Sequence, residues 1–221
     1  MSLNSGDVLV VAQKIVSKAE GCYAKLADVE VSGAASKLAA EADKDPRVVE
    51  LILRESSAVL RVRPGVIVVE HRNGYVHANA GIDRSNLPQE DGEERVLLLP
   101  RDANASAAQL RDELAARRGV ELGVVISDSA GRAWRNGTIG MALGSAGVCV
   151  LDNRNGEPDL YGRELQATEM AVADELASAA ALLMGEAAEA LPAIIVRGGD
   201  FLDASQTADA LLRDRDRDMF R

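Results

Sequence analysis

Apolar and polar residues follow one another along this chain in short blocks, and the period of each block predicts the element it forms. Residues 7–11 read as a buried strand, Val8 to Val11, followed by a mixed stretch from Gln13 to Gly21. Residues 34–43 are Ala-rich with helical spacing. Pro46 stands at a first helical position, ahead of an apolar face of Val48, Val49, Leu51, Ile52 and Leu53. Strands are predicted over 59–62, 66–70 and 75–79, broken at Pro64-Gly65 and turned at Asn73-Gly74, a dipeptide that tolerates the positive φ of a tight hairpin. The polar stretch 87–95, with Pro88 and Gly92, is a loop, and 96–99 a short strand.

Asp102 or Asn104 caps a helix running to about Arg118, and 122–126 is another buried strand. Gly137, Gly140, Gly144 and Gly147 punctuate an apolar region, which predicts close backbone approach in place of ordinary helix. Residues 152–162 form a polar loop. A helix over 168–184 carries a stripe of Val172, Leu176, Ala179 and Leu183 and ends at Gly185. A strand over 193–196 and a helical turn over 207–212 lead into alternating Arg and Asp at 213–218, read as a solvated face. Hairpins mixed with helices predict a mixed α/β (α+β) fold, not a parallel doubly wound sheet.

Composition sharpens the picture. The chain has 221 residues, enough for a sizeable core, but only 3% are aromatic against 47% hydrophobic, so the interior is built from Ala, Val, Leu and Ile. A net charge of -10 argues against nucleic acid or an anionic membrane as partner, yet leaves small phosphorylated ligands open. No apolar run reaches membrane-spanning length and no signal peptide opens the chain, so a cytoplasmic protein is expected. Cys22 and Cys149 are too few for a disulfide scaffold, and with His71 and His77 they make no closed zinc set. The sequon Asn104-Ala105-Ser106 reads as a loop or helix start. The first strand begins almost at once after Met1-Ser2-Leu3, from which an upstream element is expected to be missing.

Candidate chemistry emerges partly by elimination. P-loop, dinucleotide-fingerprint, zinc-protease and nucleophile-elbow motifs do not occur. What stands out is three stretches, 80–86, 126–132 and 184–186, each placing an acidic residue among Gly, Ser or Asn after an apolar run. Such stretches present hard oxygen ligands beside backbone N–H groups, where a divalent cation and a phosphate meet. Asp83 and Asp128 could share one ion, with Ser129 and Glu186 holding a second. The competing structural reading makes Asp83 and Asp128 Asx-turn residues at strand ends. Lys14 and Lys18 could reach phosphates as point charges, or be surface lysines. Asn86 could bond a phosphate or ribose, or cap a loop. Arg132, Trp134 and Arg135 could hold a planar anion by charge and stacking, or be a partly buried Trp with snorkelling arginines. Asp174-Glu175 could pair with an arginine or bind an amine, and the structural pairing is the one expected.

In order along the chain, the stretches GDVLVVAQKIVSKAEG, NAGIDRSN, LLLPRD, VVISDSAGRAWRNGTIGMALG, DLYGREL, VADELA, LLMGE and IIVRG resemble the coenzyme F420:γ-glutamyl ligases. That resemblance implies a GTP-dependent ligase that attaches L-glutamate to coenzyme F420-0 through an acyl phosphate. It also implies a single ligase-like domain over 1–221 built of two interleaved α/β lobes, acting as a homodimer. Asp83 and Asp128 would hold one Mg2+ or Mn2+ ion, Ser129 and Glu186 another. Lys18, Asn86 and the turn Met184, Gly185, Glu186, Ala187, Ala188, Glu189, Ala190 and Leu191 would contact GTP, with Gln13 and Lys14 at a position where residue types vary. Arg132, Trp134 and Arg135 stay candidates for the acceptor, and no residue is implied as a catalytic base. Two departures stand out. The segment upstream of Gly6 that contacts GTP in the family is expected to be missing, and Ala187-Ala188 stand where glycines are common. A ligase for a different carboxylate and a nucleotide-binding homologue without turnover remain as alternatives.

Overall fold

The computed structural model describes residues 2–87 and 93–220. The middle of the loop expected over 87–95, with Pro88 and Gly92, lies outside the described residues. The strands are β1 (Val8–Ala12), β2 (Tyr23–Lys25), β3 (Ser56–Arg63), β4 (Val66–His71), β5 (Val76–Ala78), β6 (Arg95–Leu97), β7 (Gly123–Gly131), β8 (Thr138–Ala146), β9 (Asp152–Asn153), β10 (Glu169–Met170) and β11 (Ala193–Val196). The helices are α1 (Gln13–Ala19), α2 (Gly33–Ala42), α3 (Pro46–Arg54), α4 (Ala103–Arg118) and α5 (Val172–Met184). The fold is mixed α/β, as the pattern predicts. It divides into two compact units, residues 1–13, 102–129 and 138–214 in one and 14–101, 130–137 and 215–221 in the other.

The first unit is built on a sheet of order β11-β1-β7-β8, with β1 parallel to β7 and antiparallel to β11. Register places Val10 between Val125 and Ile194, and Val8 beside Val196, so alternate strand positions make one apolar face. That face packs on Ala173, Leu176, Ala177 and Ala180 of α5. The approach is close because Gly140 has no side chain: a Cβ there would lie 2.3 Å from the carbonyl oxygen of Ala177. Gly144, four residues on and therefore on the same face of β8, meets the backbone of Ala103 in the same way at 2.2 Å. The glycine spacing thus does mark backbone approach. It also turns α5: the expected stripe of Val172, Leu176, Ala179 and Leu183 is rotated toward smaller residues, and Leu183 is 62% exposed. Ala173, Ala177 and Ala180 share the buried face with Leu176.

Helix α5 also starts later than the pattern predicts. Glu169–Met170 pairs instead with Asp152–Asn153, and the expected polar loop is a ribbon held by Arg154 N–H to Thr168 O and Gly156 N–H to Leu165 O, both 2.9 Å. Asp102 is the cap of α4, accepting from Ala105 N–H at 2.9 Å. Asn104 serves elsewhere, its Oδ1 accepting from Ser145 and Ala208.

In the second unit, β3-β4-β5 form an antiparallel sheet whose inner residues Ile67 and Val69 pack on α2 and α3. Asp45 caps α3 with Pro46 at its first position, and Asn73-Gly74 turns β4 into β5 with His71 N–H bonded to Tyr75 O at 2.8 Å. A separate pair, β2 with β6, is antiparallel. The Arg/Asp tail is not wholly a solvated face, because Arg215 ion-pairs with Glu70 at 2.5 Å, a carboxylate buried on β4 that gains from a cation.

Two carboxylates are held far below their usual range. Arg197 donates to both oxygens of buried Asp7, at 2.6 and 2.8 Å, and holds its carboxyl at about 2 against the opposing effect of burial, with Asn4 N–H assisting. Ser32 does the same for Glu50, at about 2, with Arg54. A carboxyl depressed in the folded state contributes stability above its unfolded pKa, about 4, and loses it as pH falls toward the folded value. Arg197→Met is therefore expected to raise the pH midpoint of acid unfolding, followed by circular dichroism from about pH 7 to about pH 2. Midpoints that coincide with the parent chain would show that Asp7 does not set this stability.

Candidate active site

The first acidic stretch lies in the second unit. Asp83 exchanges two backbone bonds with Leu97, N–H to O and O to H–N, each 2.9 Å. The turn before it tightens through Ala80 and Gly81, both at positive φ, and a Cβ on Gly81 would press to 2.7 Å from Leu99. The backbone therefore fixes where the Asp83 side chain leaves the chain. Its Oδ1 accepts from Ser85 N–H at 2.6 Å, so the Asx-turn reading is right as far as it goes. The other oxygen does more. Oδ2 lies 2.5 Å from Lys14 Nζ, which also reaches Ser85 Oγ at 2.9 Å. One turn further along α1, Lys18 Nζ donates to Asn86 O at 2.7 Å, and Asn86 sits at φ +53. Two lysines four residues apart thus grip one four-residue loop. Burial pushes the Asp83 carboxyl up, but the bonds from Lys14 and Ser85 outweigh it, leaving Asp83 below its ordinary value and ionised. Gln13, the residue before Lys14, is buried and belongs to the first unit.

Asp128, Ser129 and Glu186 lie in the first unit. Strand β7 runs past Ile126 to Gly131, so Asp128 and Ser129 are strand residues, not loop residues. Successive side chains leave a strand on opposite faces, which sends Asp128 one way and Ser129 the other. Ser129 Oγ donates to Glu186 Oε1 at 2.6 Å, joining β7 to the turn after α5. In that turn Gly185 adopts φ 70, ψ 179, Ala187 N–H donates to Glu189 Oε2 at 2.8 Å, and Ala190 is at positive φ. The Ala187 amide and its own hold the Glu189 carboxyl below its usual value. Met184 is half-buried, while Leu191 is exposed with Glu186, Ala187 and Ala188.

Trp134 belongs to the segment 130–137 of the second unit and is 88% exposed at φ +65, so it is not a partly buried Trp. Arg132 donates to Gly137 O at 3.1 Å, pinning the segment, and Arg135 is exposed. Asp174 takes a backbone amide, Ala142 N–H at 2.8 Å, where an arginine was expected. Burial raises its carboxyl and that amide opposes the rise. Ser85, which residue type alone does not single out, bonds both Lys14 and Asp83. The D-x-S spacing was the available signal, since Asx-turns place the residue two positions on beside the carboxylate.

A family model described as F420-0:Gamma-glutamyl ligase matches residues 1–198. The coenzyme F420:L-glutamate ligase of Methanopyrus kandleri is 47% identical over 99% of this chain and 87% of its own length. Its counterpart in Methanothermobacter thermautotrophicus is 47% identical over 99% and 86%, and that of Haloarcula marismortui 43% over 99% and 85%. The chain belongs to the F420-0:γ-glutamyl ligase family.

Family membership makes the oxygen donors worth testing against a divalent cation. Among the described residues, no group of three or more His, Cys, Asp and Glu gathers to hold one. Mg2+ seldom needs such a cage: it keeps several waters and takes one or two carboxylates plus substrate phosphates. Asp83, Asp128, Glu186 and the Ser129 hydroxyl are all hard oxygen donors of that class. Asp83 already carries a cation, the Lys14 ammonium, so its carboxylate suits one.

Gly185 tests the turn shared by Glu186 and Glu189. Its φ and ψ fall in a region open essentially to glycine, and a Cβ would also meet Glu189 Cδ at 2.2 Å. Gly185→Ala is expected to cost roughly 1–3 kcal/mol in urea unfolding. Adding Glu189→Ala should restore only a minor part, since the backbone strain stays. Full recovery in the double variant would assign the cost to the side-chain clash alone.

Proposed function

We propose that the chain is a GTP-dependent ligase that joins the amino group of L-glutamate to a carboxylate of coenzyme F420-0. The observation that carries this reading is the Lys14–Asp83–Ser85 cluster within a chain of this family: an ionised carboxylate ringed by donors, in a stretch that carries the resemblance. A carboxylate is a poor acyl donor because oxide is not a leaving group. Attack of its oxygen on the γ-phosphorus of GTP releases GDP and forms an acyl phosphate. The neutral amine of glutamate then attacks the acyl carbon, and the C–O bond breaks with its electron pair leaving on phosphate.

Both steps build charge on phosphate oxygens, where preorganised cations and amides act most strongly. Lys18, Asn86 and the turn 184–191 are assigned to GTP, with Gln13 and Lys14 flanking it. Asp83 and Asp128 would hold one Mg2+ or Mn2+ ion and Ser129 and Glu186 another, which would neutralise phosphate charge further. Trp134, exposed between Arg132 and Arg135, is assigned to the acceptor, its face to the ring system and the arginines to its anionic groups. The proposal takes the protein to be a cytoplasmic homodimer, as the resemblance implies. No described helix is long and apolar enough to cross a membrane.

The test is mass spectrometry of F420-0 incubated with the protein, GTP, Mn2+ and glutamate. Products heavier by glutamyl units, with GDP released only when both acceptor and glutamate are present, are expected. Equal GDP release with an unrelated carboxylate would favour another acceptor, and thermal stabilisation by GTP without turnover would favour a binding protein. Within an active preparation, Trp134→Ala should raise KM for F420-0 by about tenfold, roughly 1–2 kcal/mol of stacking, and leave KM for GTP unchanged.

A further inference from the structure

Lys14 holds a place in the Asp83 loop that its charge alone does not explain. It stands at the second position of α1 with Nζ against three acceptors of one loop: Asp83 Oδ2 at 2.5 Å, Ser85 Oγ at 2.9 Å and Ser85 O at 3.4 Å. That is a cation surrounded by oxygens, and the oxygens are hard donors: a carboxylate, a hydroxyl and a carbonyl. Lys18, on the same helix face, donates to the neutral carbonyl of Asn86. The two lysines are therefore unequal. One is tied to a carboxylate, the other to a dipole.

We propose that Lys14 is a built-in counter-ion that competes with a divalent cation for Asp83, so that metal loading releases its ammonium for the phosphates of the nucleotide. The proposal rests on the assignment of Asp83 as a metal ligand. Three features of the cluster support it. The pair is partly open to water, with Lys14 and Asp83 side chains 23% and 26% exposed, so a hydrated ion can reach the carboxylate. A single ion pair of that exposure is a weak hold, and a divalent cation carries twice the charge onto the same oxygens. Asp83 does not depend on Lys14 for its place, because its backbone is bonded to Leu97 on both sides and Oδ1 to Ser85 N–H. Exchange therefore moves a flexible lysine and leaves the ligand where it is. The role is a positioning one, since Lys14 governs access to Asp83 before it meets substrate.

The test uses the full chain with Mn2+ alone as probe. Paramagnetic broadening of the Ser85 amide signal, which adjoins the carboxylate, reports Mn2+ at Asp83 even when binding is weak. Lys14→Gln is expected to lower the Mn2+ concentration for half-maximal broadening by about two- to fivefold, the strength of an exposed ion pair. Lys14→Arg, which keeps the charge, should stay near the parent chain. Matching circular dichroism and melting curves check that the variants fold. Lys14→Gln that binds Mn2+ no tighter, while Asp83→Asn abolishes broadening, would overturn the exchange and leave Asp83 a ligand. Broadening that survives Asp83→Asn unchanged, in the parent and in Lys14→Gln alike, would instead remove the metal assignment beneath it.

Discussion

Backbone meets backbone where α5 lies on β8, and much of the first unit follows from that contact. A Cβ on Gly140 would stand 2.3 Å from the Ala177 carbonyl oxygen, far inside van der Waals distance. Larger residues there would force the helix away, at a cost of about 1–3 kcal/mol for even modest overpacking. The interior is accordingly made of Ala, Val, Leu and Ile, and the helix turns its small residues inward while Leu182 and Leu183 face out. Because β7 lies next to β8 in the sheet, the same contact fixes how near the end of α5 comes to β7. Ser129 and Glu186, 57 residues apart, are hydrogen-bonded as a result.

Carboxylates in this chain are held by similar donors to different ends, and burial decides which. Asp7 is sealed from solvent beneath a two-pronged arginine, a geometry in which losing either partner leaves a stranded charge. Asp83 faces a lysine with both side chains only partly covered, and such a pair at an exposed site is worth about 0.2–1 kcal/mol. The first pair is a structural pin. The second is weak enough to exchange, while the backbone bonds to Leu97 keep the carboxylate aimed regardless of what it binds.

Local chemistry was legible wherever one residue type decides the conformation. Pro46 at the head of α3, Asn73-Gly74 between β4 and β5 and the glycines of β8 all declared themselves, because few other residues meet those constraints. Element ends that depend on distant partners were not legible. Strand β7 continues through the polar Asp128 and Ser129, and the start of α5 is displaced by pairing across fifteen or more residues of ribbon. On α5, periodicity finds Val172 and Leu176, which pack in the core, but close packing takes Ala173, Ala177 and Ala180 beside them and leaves Ala179 and Leu183 outside. At the site, residue types announced oxygen ligands and cations, but not that Lys14 and Ser85 converge on the same carboxylate, or that Asp174 takes an amide.

A chain of net charge -10 repels anions at long range, so on the proposed reading a triphosphate is held by charges within roughly a Debye length, about 8 Å at physiological salt. The cations of α1 are the ones that the fold sets beside a candidate ligand. Lys18 rests on a neutral carbonyl, and a phosphate oxygen outbids such an acceptor because charge-assisted bonds are roughly twice as strong as neutral ones. Lys14 rests on a carboxylate, which a phosphate displaces with no such advantage. On the proposed reading, then, the two lysines become available in sequence: Lys18 to the nucleotide directly, Lys14 only once another cation has satisfied Asp83. An acidic protein would in this way keep its positive charge in reserve, releasing it where metal and nucleotide arrive together.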